Sequence, residues 1–218
     1  MNEIINIWEQ YKHEFNYQEL IKNNPNIFKD MFDQFESEVL YSLIRIIKPK
    51  TIIELGPCDG WTSLIILNAC DKNDIPCKLF SFDLIGISFN LDRQDKIYRK
   101  LVVGDAKETT KQYQKEIEQA DFLFIDAEHS AEFANWYLNN LIPNYNGKYI
   151  WIHDWNGLYD TSNGEVITVR NSPLFGQILK PVINLMDYTI ENLNETIYQY
   201  TGERGIRSPS QILEIKGS

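Results

Sequence analysis

The sequence predicts an α/β fold: a doubly wound, mostly parallel sheet of seven strands with helices on both faces, behind an N-terminal helical extension. Two observations carry this. Short apolar runs of strand length alternate with stretches of helical periodicity from about residue 50 to residue 155. The first run, Thr51–Leu55, then passes through Gly56 and Gly60 straight into a new apolar pattern at Trp61, which reads as strand, tight turn and helix start.

Taken in order, residues 1–35 carry short helical patterns broken at Asn23-Asn24-Pro25, with aromatics at Phe28, Phe32 and Phe35. Val39, Leu40, Leu43, Ile44 and Ile47 fall at helical spacing, and Pro49 closes that helix. Strands are expected at 51–55, 78–82, 101–103, 122–125 and 149–152, with helices at 61–70, 88–100, 108–119 and 131–142 between them. Such alternation builds βαβ units with right-handed crossovers. Phe175, Ile178, Leu179, Val182, Ile183 and Met186 form one more helical stripe, in which Pro181 demands a kink or restart. Ile197–Thr201 and Gln211–Ile215 read as two final strands. The domain therefore spans 36–218, with 1–35 as a helical extension or lid.

Composition narrows the function. A chain of 218 residues suits one domain, and 12 Tyr, 11 Phe and 5 Trp supply ample core volume. A formal net charge of −10 argues against nucleic acid, whose phosphates require a basic patch. Lys96, Arg99 and Lys100 do cluster, but Asp92, Asp95 and Asp105 lie close by, so they read as a solvated helix face. Cys58, Cys70 and Cys77 match no metal spacing and read as reduced thiols of a cytoplasmic protein. The N-terminus has no signal-peptide pattern, and no apolar run approaches a membrane span.

The chemistry lies where the strands end. In an open α/β sheet, ligands bind beyond the carboxyl ends of the strands. Strand one ends in Glu54, Gly56, Pro57, Asp59 and Gly60; strand two in Asp83; strand three in Asp105-Ala106; strand four in Asp126 and His129; strand five in His153-Asp154. Unpaired carboxylates are costly to bury, so five acid-bearing ends on one rim require ligands or water. The spacing Glu-x-Gly-x-x-x-Gly is neither a dinucleotide fingerprint nor a phosphate loop, which favours a cofactor without a pyrophosphate, S-adenosylmethionine being the common one. Gly56 and Gly60 let backbone approach such a ligand. Asp83 suits the ribose hydroxyls, Asp105 an adenine amino group, and Thr62, at a helix start, an amino-acid carboxylate. Asp126, His153 and Asp154 suit a divalent metal; the carboxylates favour magnesium or manganese, and an imidazole tilts the site toward manganese or iron.

With those residues placed, the chain resembles the class I S-adenosylmethionine-dependent methyltransferases, which have a Rossmann-like sheet. Within them it is similar to the metal-dependent group of catechol, macrocin and sugar O-methyltransferases. The resemblance runs from about Glu38 to Trp155 and rests on Ile53–Ser63, Phe122–Ser130 and Tyr149–Trp155. It implies cofactor contacts from the Glu54–Thr62 turn, Asp83, Asp105-Ala106 and Asp126, and a metal on Asp126 and the pair after strand five. Where these families often carry two carboxylate or amide residues, this chain has His153-Asp154. Three residues past the first metal acid they place a general base, here His129, whose ordinary pKa near ~6.5 suits proton removal at neutral pH. The expected reaction is methylation of a hydroxyl on a small molecule or a sugar or glycan precursor. Three rivals stay open: a metal-free enzyme with His129 or Glu128 as base, a related metal-binding fold catalysing hydroxylation, and a non-catalytic cofactor-binding subunit. The acceptor's identity and the oligomeric state, homo-oligomer included, are not legible.

Overall fold

The computed structural model describes residues 3–27, 32–86, 96–155, 164–185 and 210–215. Helices α1 (Glu3–Tyr11), α2 (Tyr17–Asn23) and α3 (Gln34–Ile47) come first. Asp33 caps α3 by accepting from the Glu36 amide, and Lys48 in the left-handed region ends it ahead of Pro49. Then follow β1 (Thr51–Leu55), α4 (Trp61–Asn73), β2 (Cys77–Asp83), β3 (Ile97–Val103), α5 (Ala106–Thr109), α6 (Gln114–Glu118), β4 (Phe122–Ile125), α7 (Ala131–Trp136), β5 (Tyr149–Ile152), α8 (Gly164–Asn171), β6 (Leu179–Asn184) and β7 (Gln211–Ile215).

The seven strands form one sheet in the order β3-β2-β1-β4-β5-β7-β6. The first five are parallel, and β7 runs antiparallel between β5 and β6. Side chains alternate across the sheet, so each strand feeds two cores. Ile52, Leu79, Phe124 and Trp151 pack toward α1, α3 and α4 with Trp8, Phe35, Leu40 and Ile65. Ile53, Phe82, Ile125 and Ile152 pack the other way with Phe133, Tyr137 and Leu141. Because both faces are covered, β1, β4 and β5 are buried at every position and read as continuous apolar runs.

The register aligns the strand ends. Leu55 pairs with Phe82 and Ile125, Ile125 with Ile152, and Asp83 with Val103. The first residue past each strand continues the ladder: Gly56, Gly104, Asp126 and His153 donate amide hydrogens to Phe82, Asp83, Leu55 and Ile125. The acid-bearing turns therefore stand on one rim.

Four elements differ from expectation. Ile97–Lys100, expected to end a helix at 88–100, instead open β3, while 87–95 lie outside the described residues. An edge strand tolerates this polar run: Tyr98 is exposed, Lys100 sits over the Tyr113 ring and Lys96 pairs with Asp74. The basic trio is thus a strand edge, not a helix face. The stripe expected as a helix over 175–186 contains β6, and Pro181 lies where the β6–β7 register shifts. A proline missing its N–H is tolerated on an edge strand beside a bulge, so it marks that edge rather than a helical kink. The strand expected at 197–201 lies outside the described residues; β6 supplies the seventh. The expected helices at 108–119 and 131–142 are interrupted, the first by a 3-10 turn at Thr110–Tyr113, the second by a π turn at Tyr137–Leu141 and a 3-10 turn carrying Pro143. Among the described residues, no helix is long and apolar enough to cross a membrane.

Candidate active site

At the end of β1 the chain must turn hard against the end of β4. Gly56 has φ +77°, and a Cβ there would lie 1.8 Å from the Asp126 carbonyl oxygen, so only glycine lets the two turns touch. Gly60, with φ +86°, caps α4 from the left-handed region and stands behind the turn. Glu54 differs from its expected role. It is fully buried and accepts hydrogen bonds from Thr62 Oγ1 (2.7 Å), Ser63 Oγ and Ser81 Oγ. Burial pushes its carboxyl up against these hydrogen bonds. Glu54 thus ties β1, β2 and the start of α4 together from inside, and the Thr62 hydroxyl is spent on that knot instead of a ligand.

Outside the knot a cavity of about 560 Å³ opens over the ends of β1–β4. That volume lies within the usual range for small-molecule and cofactor sites. Of the residues expected to hold a cofactor, Gly56, Asp59, Asp83, Asp105, Ala106 and Asp126 line it. Asp83 accepts from the Cys58 and Ile85 amides, each at 3.0 Å, which orients its carboxylate at the wall. Asp105 caps α5 by accepting from the Lys107 amide. Pro57 and Thr62 face a smaller adjoining pocket with Phe32, Trp61 and Asp126. Cys58, Leu84, Ile85 and Phe133 also line the main cavity. Sequence reasoning passed over them, since apolar side chains next to a strand end look like core.

Beside the cavity, the ends of β4 and β5 meet in a cluster of ionisable groups. His153 Nδ1 lies 3.2 Å from Asp126 Oδ1 and 3.5 Å from Asp154 Oδ1. His129 Nε2 lies 3.2 Å from Asp154 Oδ2 and 3.8 Å from Asp126 Oδ1, and its Nδ1 donates to Glu165 Oε2 at 2.8 Å. Glu165, on α8, is buried and accepts from the Tyr137 hydroxyl at 3.0 Å. On the far side of His153, Nε2 faces Glu36 Oε2 of α3 at 3.6 Å, and the Phe32 ring lies 5.3 Å from the imidazole. Asp154 takes φ 50°, a left-handed conformation that asparagine and aspartate tolerate better than most residues.

The electrostatics follow from crowding two imidazoles among four carboxylates. Burial alone would depress His129, but hydrogen bonds to Asp154 and Glu165 and the Asp126 charge outweigh it and hold the imidazole up at about 10. His153 is likewise raised well above its ordinary value: burial opposes the charge, and Asp126 and Glu36 overcome it. Burial acts to raise Asp154, yet its bonds to His129 and His153 hold it far below the usual carboxylate range. Glu36 is pushed up to about 7 by complete burial, partly offset by His153. Both imidazoles are therefore biased toward the protonated form when no metal shares their carboxylates.

Asp126, His153 and Asp154 present one ligand atom each, all within 4.8 Å of one another. Two carboxylate oxygens and one imidazole nitrogen fit a divalent ion such as manganese. Glu36, Glu165 and Tyr137 were not anticipated. Glu36 had a signal, because it shares a helical face with Leu40 and Leu43 and so falls on the buried stripe of α3. Glu165 and Tyr137 had none: no strand end or helical stripe marks the one, and the other sits in an apolar helix pattern.

Residues 53–155 match the family model described as a methyltransferase domain. Among solved structures, an apo structure of CmcI superposes with a TM-score of 0.51 at 14% identity, covering 84% of this chain and 71% of that one. A candidate caffeoyl-CoA O-methyltransferase from Staphylococcus aureus superposes with a TM-score of 0.50 at 14% identity, covering 98% and 99%. Among curated proteins, none matches the sequence.

Proposed function

From the premise that this chain carries a class I S-adenosylmethionine-dependent methyltransferase domain, we propose that it methylates a hydroxyl group with the help of a divalent metal. One observation carries the reading: His129 and the Asp126–His153–Asp154 cluster stand at the edge of a nucleoside-sized cavity, and Asp126 belongs to both. In this reading Asp83 accepts the ribose hydroxyls, Asp105 lies toward the adenine, and the Gly56–Asp59 turn lies along the amino-acid end. Asp126, His153 and Asp154 hold the metal, which when bound polarises the acceptor hydroxyl and lowers its pKa.

His129 takes the proton. Held at about 10, it would be neutral in only about one molecule in a thousand at neutral pH. Asp126 and Asp154, which hold that proton, are the same carboxylates that would hold the metal. Glu165 accepts Nδ1–H and leaves Nε2, on the Asp126 and Asp154 side, as the atom that takes the proton. Positioning the hydroxyl oxygen in line with the sulfonium methyl supplies much of the remaining acceleration.

The lid expected at 1–35 would, together with residues 155–175, cover the acceptor side in this reading. Phe32 supports it, lying against His153 and lining the smaller pocket. Within 155–175, residues 156–163 lie outside the described residues. Residence in the cytoplasm fits the three free cysteines. The acceptor class, a sugar, glycan precursor or other small polyol, follows from the family resemblance. Methyl transfer from S-adenosylmethionine to a panel of hydroxyl acceptors, with manganese or with chelator, tests the proposal. Metal-dependent formation of a methyl ether is expected; undiminished turnover under chelation would remove the metal from the mechanism.

A further inference from the structure

Two buried polar atoms of this site lack a hydrogen-bond partner, and they face each other. His153 Nε2 and Glu36 Oε2 are both without one, stand 3.6 Å apart, and belong to side chains 1% and 0% exposed. A buried carboxylate oxygen without a donor is costly, so its retention calls for a reason. The other Glu36 oxygen is firmly held: Ser210 Oγ donates to Oε1, and Trp151 Nε1 donates to Ser210 Oγ at 2.9 Å. A chain of donors thus runs from β5 through Ser210 to Glu36 and fixes its free oxygen toward the imidazole.

The ring is oriented by its surroundings. Nδ1 points at Asp126 and Asp154, Nε2 points at Glu36, and Phe32 lies against the ring. Resting on the metal-assisted reading above, we infer that Glu36 is a positioning residue for the metal site. Its Oε2, 3.6 Å from Nε2, favours the tautomer protonated there and leaves the Nδ1 lone pair to join Asp126 and Asp154, which makes the site one for a transition ion such as Mn²⁺ over Mg²⁺. A carboxylate behind a ligating histidine raises the basicity of the ligand nitrogen and sets its direction. An imidazole backed in this way favours a softer ion than two carboxylates alone. His153 in the cluster and Glu36 buried behind it are therefore one arrangement, not two.

The test is a double-mutant cycle read by metal binding, independent of turnover. Mn²⁺ and Mg²⁺ affinities are measured on the whole protein for wild type, Glu36→Gln, His153→Asp and the double variant, with S-adenosylhomocysteine affinity as the check on folding. Wild type should prefer Mn²⁺ and show ¹⁴N coupling to the bound ion by pulsed electron paramagnetic resonance. Glu36→Gln should weaken Mn²⁺ binding by about 10- to 100-fold, the usual cost of losing such a partner, with S-adenosylhomocysteine affinity unchanged. His153→Asp should abolish the ¹⁴N coupling and the Mn²⁺ preference, and in that background Glu36→Gln should no longer weaken binding. If the Gln variant fails to hold S-adenosylhomocysteine, Ser210→Ala, which loosens the same carboxylate from outside, replaces it in the cycle. An equal effect of Glu36→Gln in both backgrounds, or Mn²⁺ bound without ¹⁴N coupling, would overturn the inference. So would absence of metal binding by wild type, whereas retained S-adenosylhomocysteine binding in that case would leave the methyltransferase reading standing.

Discussion

The rim formed by the strand ends is built in two different ways. Over β1–β3 it is open, and its acids are held by neighbouring backbone: Asp83 by the Cys58 and Ile85 amides, Asp105 by the Lys107 amide. Over β4–β5 it is packed with ionisable side chains that hold one another, several of them brought from far along the chain. Glu36 comes from α3, Glu165 from α8 and Ser210 from the lead into β7. The first half offers an open cavity with a few oriented acceptors. The second stores opposed charges at close range, which is what proton transfer and metal binding require. Asp126 and Gly56 are where the halves touch, one by its side chain and the other by its lack of one.

If that division is right, substitutions should separate it. The largest effect is expected in the packed half: His129→Ala should lower methyl transfer by about 10²–10⁴-fold while leaving S-adenosylhomocysteine affinity within about twofold, measured by kinetics and calorimetry. At the junction, Gly56→Ala should damage both halves together. A left-handed alanine alone costs about 1–2 kcal/mol, and a Cβ lying 1.8 Å from a backbone oxygen adds to it. A denaturation midpoint well below wild type and loss of cofactor binding would bear this out; a silent substitution would mean the turns are not in contact. In the open half, Asp83→Asn should weaken S-adenosylhomocysteine by about tenfold, the scale of one hydrogen bond to a charged group, with no change in metal affinity.

The smallest expected effect is a slope in stability with pH. His129 is held above its unfolded value, so its contribution is complete below about 6.5 and is lost as pH rises through about 10. Metal-free protein should therefore lose stability between those values by urea denaturation. Glutamine at position 129 should reduce that slope, leaving the part owed to His153, and saturating Mn²⁺ should reduce it too. A slope unchanged in the His129→Gln variant would assign it wholly to His153 or another group.

This contrast also explains what could be read from the sequence. Gly56, Asp59, Asp83, Asp105 and Asp126 were legible because each sits at a strand end, and a parallel sheet brings strand ends together whatever the details of packing. Glu54 and Thr62 occupy the same turn but face inward, a difference settled by Ser63 and Ser81 closing around the carboxylate from two other elements. Glu36 and Glu165 stand 90 and 39 positions from Asp126 along the chain, and local periodicity carries nothing over such separations. β6 was misread for a related reason. Leu179, Val182 and Ile183 fit a helical stripe, and only the pairing with β7 reveals an edge strand with Pro181 beside its bulge.

The central claim is that one half of the rim holds S-adenosylmethionine and the other holds a metal beside it. Calorimetric titration of the whole protein with S-adenosylhomocysteine, in buffer with chelator and again with Mn²⁺, tests both halves at once. One molecule bound per chain in either condition is expected, together with a separate Mn²⁺ isotherm that Asp126→Asn abolishes. No heat of S-adenosylhomocysteine binding in either condition would contradict it.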